Sequence, residues 1–492
     1  MSENKSYRSI VKATSILGGV QIINILIGLI RSKVVAVLLG ASGVGIMSLL
    51  TSTTTTISTI ANLGLATTAI RKISQAQSNE ERLKRSVSVF RYITFITSLS
   101  GAIFTMVASP WLSEITFGNK NYTYTFVLLS LTVFMTQMGQ GYQIIFQGLQ
   151  KLKLVAKSSL ISSLIALVVG TPLFFLYGKN GIVPNIIITS VLTFIVGILL
   201  FRSMRIPLLK LNVKEIWDEG NDMVKLGLLV GMTSIMTTLT MYIVRIFIGR
   251  EGSMIDVGLY SAGMTIVTTY FGMIFTAMGT DFYPRLSKIV NDKSELKNTV
   301  SQQMDIMLLI FVPLIIGFIG FAKIAIRLLL SSEFLEITPM LQFAVCGVIF
   351  QGLSWALAFI ILAKGNAKIY FYNELLTIIY FLTFNLLGYY FMGLKGIGIS
   401  FCIGYFVYFI HMLFICKKYY KFNFNTSTIN LLRIALLIVS LCGMVNIIIA
   451  EDNLMKYIFN AIFLIVSIIF SFKELDRRIN LISMLKSKLK KN

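Results

Sequence analysis

The sequence predicts an all-α polytopic membrane protein: about 14 transmembrane helices, forming two parallel six-helix lobes around a central cavity, plus a C-terminal helix pair. Three observations carry that prediction. Apolar runs of spanning length follow one another along the whole chain, which is 55% hydrophobic and 13% charged, with mean hydropathy +0.79. A soluble domain would carry about 25% charged residues, so water-soluble enzyme folds drop out. Basic residues collect in every second connecting segment, and short motifs of the first half return, in order, in the second.

A bilayer core about 30 Å thick takes roughly 20 apolar residues at helical rise. The first span, 13–39, exceeds that and holds Arg31 and Lys33. No small-residue cleavage site follows it, so it reads as a retained signal-anchor. The second span, 45–69, contains the hydroxyl-rich run SLLTSTTTTISTIANLG. Spans follow at 87–109, 123–147, 158–177 and 183–201, then at 226–248, 258–280, 303–330, 338–363, 369–391 and 397–416. Spans at 430–450 and 455–472 close the series; the count falls to twelve if these two lie at the interface. GLKG at 393–396 and EDN at 451–453 leave room only for tight turns.

With the N-terminus inside, the inner segments gather Lys5, Arg8 and Lys12, then the clusters at 71–85, 151–157, 202–225, 285–297, 364–368 and 417–421, and a basic tail from Lys473 to Lys491. The outer segments hold Lys120, Lys179, Arg250, Lys395 and Lys456. This asymmetry predicts an even number of spans with both termini cytoplasmic. It also accounts for the net charge of +23 as topology plus attraction to anionic headgroups, so no nucleic-acid partner is expected.

Val44-Gly45-Ile46-Met47-Ser48 reappears as Val257-Gly258-Leu259-Tyr260-Ser261, and Lys72-Ile73-Ser74 as Arg285-Leu286-Ser287. Gly178-Lys-Asn-Gly181-Ile182 matches Gly393-Leu-Lys-Gly396-Ile397, Lys153 matches Lys368, and Arg31 matches Arg245. Each pair is separated by roughly 214 residues. The expected organisation is an N-terminal lobe over 1–201, a cytoplasmic linker over 202–225 with a short amphipathic piece, a second lobe over 226–416, and two extra spans with a basic tail over 417–492. Six spans per copy is even, so the copies run parallel, and a substrate site is expected between the lobes near the midplane.

A cation inside a span costs a few kcal/mol unless it meets water or a partner. Two readings stand for Arg31: it faces a polar cavity and meets an anion, or it snorkels to the interface. The repeat supplies Arg245 as its counterpart and favours the cavity, whereas Lys33, without a counterpart, reads as an interfacial anchor at the margin of the same anion site. Arg91, Lys323 and Arg327 are further candidate substrate contacts; the last two share a helix face and also fit interfacial anchoring, as does Arg433. Glu374 and Asp305 are candidate sites for Na⁺ or H⁺ coupling. The polar spans fit either a hydrated lining or close helix packing. Span charges are mostly cationic, so an anionic substrate is expected. His411 lies in an aromatic run and reads as packing or a proton relay. The four cysteines lack metal-ligand spacing, and no Walker A loop is present. No catalytic residue, metal or cofactor is expected.

RSKVVAVLLGASGVGIMSLL, NLGLATTAIRKIS, DVGLYSAG with FYPRLSKI, and LAKGNAKIYFYNELL resemble the polysaccharide-exporting lipid flippases, specifically the O-antigen translocases of the multidrug/oligosaccharidyl-lipid/polysaccharide exporter superfamily. The resemblance covers about residues 8–416. It implies movement of an undecaprenyl-pyrophosphate-linked oligosaccharide from the cytoplasmic to the periplasmic leaflet of a bacterial inner membrane, with Arg31 and Arg245 at the positions matching pyrophosphate-binding arginines. Related drug/cation antiporters place an acid in the first span, and this chain has none there. The two extra spans look like the lipid II flippase layout, whose extra pair forms a groove for the lipid tail. A monomer is expected, with a polysaccharide polymerase and chain-length proteins as candidate partners. Two alternatives stand beside this reading: a cation-coupled multidrug antiporter, and a membrane polysaccharide polymerase or ligase, for which no outer segment is long enough.

Overall fold

A computed structural model describes residues 2–449 and 453–479, and the chain is helical almost throughout. The helices are α1 (Ser2–Ala61), α2 (Leu65–Ala76), α3 (Glu80–Val107), α4 (Ser109–Phe117), α5 (Thr123–Gly148), α6 (Leu152–Tyr177), α7 (Ile182–Arg202) and α8 (Val213–Glu251). They continue with α9 (Met254–Thr265), α10 (Gly272–Ile289), α11 (Lys293–Leu329), α12 (Thr338–Ala363), α13 (Ala367–Tyr420), α14 (Thr426–Ile448) and α15 (Leu454–Ile479). A π-helical turn, Ile266–Phe271, joins α9 to α10. Among the described residues, 10 helices are long and apolar enough to cross a membrane, which makes this a multi-pass membrane protein. Most of the turn expected at 451–453, the basic tail beyond 479, and the side chains of Lys5, Arg8 and Lys12 lie outside the described residues.

Glycines divide the longest of these helices. Gly40 (φ 65, ψ −179) breaks α1 into two limbs, where the sequence expects the first and second spans. Gly178 (φ 54, ψ −130) and Gly393 (φ 57, ψ −143) hold nearly the same left-handed conformation, which residues with a Cβ rarely adopt. Both reverse the chain. The Gly181 Cα abuts the Leu173 carbonyl, and eight residues likewise separate Gly396 from the Gly388 carbonyl it abuts. Beyond Gly393 the limbs of α13 pair antiparallel: the Ser400 hydroxyl donates to the Phe384 carbonyl at 2.6 Å, and the Phe381 and Tyr405 rings meet edge-on at 4.9 Å. Most of the expected spans fall within a helix or a helix limb. The span expected at 45–69 is interrupted by the turn between α1 and α2, and that at 258–280 by the π-helical turn; the short helix α4 is an addition at the end of the span expected at 87–109.

The chain divides into two compact units. The first comprises Met1–Gly258 with Leu329–Ser331, and the second comprises Leu259–Leu328 with Ser332–Asn492. In the first unit one apolar cluster joins Leu65, Ile73, Phe90, Ile145 and Phe146 at the basic end, and another joins Leu39, Leu50, Leu112, Phe126 and Phe174. Residues 213–225, the second half of the linker expected over 202–225, are the first turns of α8. They dock on α2 and α3 by burying Ile216 and Met223, while Arg85 pairs with Glu215 at 3.7 Å and with Glu219. Farther along, Gly45 of α1 and Gly258 of α9 face one another, each set against the carbonyl four residues before its partner, Met254 and Ala41. At the other end of α8, Arg250 donates to the Ile115 carbonyl at 2.8 Å and to the Glu114 carbonyl, closing the C-terminus of α4.

The second unit packs around rings: Phe275 meets Phe311 at 5.2 Å and Trp355 at 5.7 Å, and Trp355 meets Phe359 at 4.5 Å. The C-terminal pair is clamped to α11 at two heights. Asn460, fully buried, donates to the Gly320 carbonyl at 3.2 Å. Arg478 pairs with the buried Asp305 and with Glu474 at 3.0 Å, and donates to Ser427 at 3.0 Å.

Candidate functional site

A hydroxyl-bearing helix survives in lipid because each hydroxyl can donate to the carbonyl one turn back. Thr51 donates to Met47 at 2.7 Å, Thr53 to Leu49 at 2.8 Å, and Thr59 to Thr55 at 2.8 Å. The oxygens then keep lone pairs free to accept. The TSTTTT run divides between its two expected roles: Thr53 and Thr56 are packed in the interior, whereas Thr51, Thr54 and Thr55 face a cavity of about 500 Å³ inside the first unit.

Three helices each present a polar stripe at i, i+4, i+8 to this cavity: Thr51, Thr55 and Thr59 on α1; Thr132, Thr136 and Gln140 on α5; Asn185, Thr189 and Thr193 on α7. Among the described residues, Arg31, from the first limb of α1, is the one cation of the lining and no carboxylate is part of it. The volume lies within the range of small-molecule pockets.

The hydrogen-bonding capacity of the lining is not spent internally. Arg31 Nε, Thr132 Oγ1, Ser162 Oγ and Asn185 Oδ1 are all buried without a protein partner, with Thr132 at 5% and Asn185 at 1% exposure. Buried polar groups are nearly always bonded, and an unsatisfied one costs about 1–3 kcal/mol. Four such atoms around one cavity leave positions open to water or a polar ligand. The lining can donate from Arg31 and the carboxamides and accept at the threonine oxygens.

The other expected site residues lie elsewhere. Arg245 is on α8 and donates to Ser48 at 3.1 Å and to the Met241 carbonyl at 3.2 Å; Ser48 adjoins the cavity-lining Met47 in the chain. Lys33 is half-buried and not part of the lining. Arg91 lines a separate pocket against α5. Lys323 lines a small polar void of about 20 Å³ with Asn446 and Lys456, and Arg327 and Arg433 are exposed. Asp305 is held in the ion cluster with Arg478. Glu374 is half-buried and bonded to Asn373 at 3.4 Å. The stripes on α5 and α7 were not singled out from the sequence, although their four-residue spacing is visible there.

The sequence profile of the family described as "Polysaccharide biosynthesis protein" matches residues 34–339, most of the first unit and the start of the second. The chain belongs to this family. Among curated members of this kind, the lipid III flippase of Escherichia coli (strain K12) is 22% identical over 370 residues, covering 74% of this chain and 88% of that protein. A putative O-antigen transporter of Shigella flexneri is 22% identical over 319 residues, covering 63% of this chain and 74% of that one. Among solved structures, the lipid II flippase MurJ in an inward closed conformation superposes with a TM-score of 0.72 at 16% identity, covering 94% of this chain and 99% of that one. An inward-facing multidrug resistance MATE family transporter of the MOP superfamily gives 0.63 at 14% identity, covering 80% and 93%. This polysaccharide biosynthesis family member thus shares the fold of these membrane transporters.

Proposed function

We propose that the chain is a flippase that carries an undecaprenyl-pyrophosphate-linked oligosaccharide from the cytoplasmic to the periplasmic leaflet of a bacterial inner membrane. The observation that supports it best is Arg31: a half-buried arginine with a buried, unspent Nε, on a cavity whose described lining is hydroxyls and carboxamides without a carboxylate. An anionic headgroup suits the cation, and sugar hydroxyls suit the back-bonded threonines. The kinds of protein it resembles, a lipid III flippase and a putative O-antigen transporter, support the same class of substrate.

In this reading the lobes 1–201 and 226–416 rock about the linker 202–225, both termini stay cytoplasmic, and the prenyl tail remains in lipid. Arg245, at the corresponding place in the second copy, is the second headgroup cation. Glu374 is the coupling acid for H⁺ or Na⁺. The carboxylate-free lining speaks against a cation-exporting drug antiporter, because an organic cation beside Arg31 would be repelled. The test is the pair of charge swaps Arg31→Glu and Arg245→Glu, read as delivery of the lipid-linked repeat unit to the periplasmic face. At equal membrane levels, delivery falls at least about ten-fold, as expected when an attractive contact becomes repulsive. Unchanged delivery sinks the proposal.

A further inference from the structure

Arg91 has no place in the hydroxyl-lined cavity, and its surroundings are of another kind. Its guanidinium carbon lies 5.1 Å from the Phe201 ring centre and 5.5 Å from that of Tyr142, and Nη2 donates to the Tyr142 hydroxyl at 3.3 Å. The rings hold the cation in position, but no carboxylate pairs with it among the described residues, and most of its five donors remain. Beside it opens a pocket of about 310 Å³ whose walls are apolar: Phe95, Met138, Leu208 and Leu209. Ser88 fixes the roof by accepting from the Leu209 amide at 3.0 Å while donating to the Lys84 carbonyl at 2.8 Å. That roof belongs to the segment between α7 and α8, which also carries Arg205 and Lys210, both exposed.

From the pocket an apolar stripe runs along the outer face of α3: Phe95, Leu99 and Ile103, exposed by 46%, 42% and 53%, one turn apart. A fixed cation at one end of a lipid-facing stripe matches the two ends of a lipid. Met138 and Tyr142 lie on the face of α5 opposite to Thr136, Gln140 and Gln143, so the helix separates this pocket from the hydroxyl-lined cavity.

We propose that this pocket binds the phosphate of an acidic glycerophospholipid from the surrounding bilayer, with one acyl chain along Phe95, Leu99 and Ile103. A zwitterionic headgroup would bring its ammonium to Arg91, Arg205 and Lys210, so a net negative lipid is selected. The full-length protein is reconstituted in nanodiscs of phosphatidylcholine with and without phosphatidylglycerol, extracted, and its retained lipids counted by native mass spectrometry. The wild type retains phosphatidylglycerol in preference by roughly five-fold, the scale of one basic contact at a membrane surface. R91Q loses that preference, R91K keeps part of it, and R31Q keeps all of it. Because Arg91 also packs between rings, L208E is run alongside: it leaves Arg91 itself in place but sets a carboxylate in the roof, which repels the phosphate and competes for the guanidinium. No preference in the wild type, or an undiminished preference in a folded R91Q or in L208E, overturns the proposal.

Discussion

If the orphaned atoms of the cavity are kept for a ligand, removing one improves stability and harms transport. Thr132 is the cleanest position. It is 5% exposed, and its hydroxyl has no hydrogen-bond partner in the protein. Thr132→Val exchanges that hydroxyl for a methyl of similar size, so the change isolates the polar atom. Burying an unbonded hydroxyl costs about 1–3 kcal/mol, part of which water in the cavity offsets. We therefore expect T132V to gain about 1 kcal/mol, or roughly 1–2 °C in Tm for a chain of this size. The same hydroxyl, when bonded to a sugar, contributes about 0.5–1.5 kcal/mol, so half-saturation of export should need three- to ten-fold more lipid-linked substrate. Thermal unfolding in nanodiscs and delivery into inverted vesicles measure the two effects on one preparation. A T132V protein that is less stable would mean the hydroxyl is already satisfied. One that is more stable but exports normally would remove this face of the cavity from the substrate path.

Further outcomes follow from the packing. Gly45→Ala and Gly258→Ala each drive a methyl into a backbone carbonyl, which forces α1 and α9 apart by on the order of 1 Å; each should cost about 1–3 kcal/mol in thermal unfolding, whereas Gly19→Ala, with open space around it, should not. Gly393→Ala also meets open space but forces a Cβ into φ 57, so it should cost about 1–3 kcal/mol through backbone strain alone. Asp305→Asn and Arg478→Gln should each lower stability by about 2–3 kcal/mol, and the double variant by clearly less than their sum in a double-mutant cycle, because each single change strands a buried partner. Arg250→Ala frees the Glu114 and Ile115 carbonyls, and should raise the labelling rate of a cysteine placed at Gly118 without moving global unfolding by more than about 1 kcal/mol.

The membrane fold was legible because its signals are one-dimensional: runs of apolar residues, alternation of loop charge, and glycine at the reversals. Gly178 and Gly393 stood out as a matched pair before their shared backbone conformation was seen. Arg31 was legible as a cost without a visible partner. The cavity around it was not, because it is assembled from stripes on α1, α5 and α7 that only the tertiary packing brings together. Helix α5 shows how the signal was diluted: the threonines and glutamines that face the cavity make it less apolar than α6 and α7, and it was read simply as a span. The charged candidates were harder still. Charge alone could not separate Asp305, stapled to Arg478, from Glu374, bonded only to Asn373, since the difference lies in α15 folding back onto α11.

The register of the repeat shows the same wall positions put to different uses in the two copies. Thr136, Gln140 and Thr193 correspond to Gln351, Trp355 and Tyr408, while Asn185 and Thr189 correspond to Ser400 and Gly404. In the second unit those positions are filled: Gln351 donates to the Tyr405 hydroxyl at 3.0 Å, Gly404 receives the Phe381 ring, and Trp355 stacks among Phe275, Phe282 and Phe359. Aromatic burial fills those wall positions in place of a polar lining. The first copy keeps its stripes open and bears the cost of unsatisfied groups. The equivalent wall positions thus diverge, closed by rings in the second copy and left polar beside Arg31 in the first.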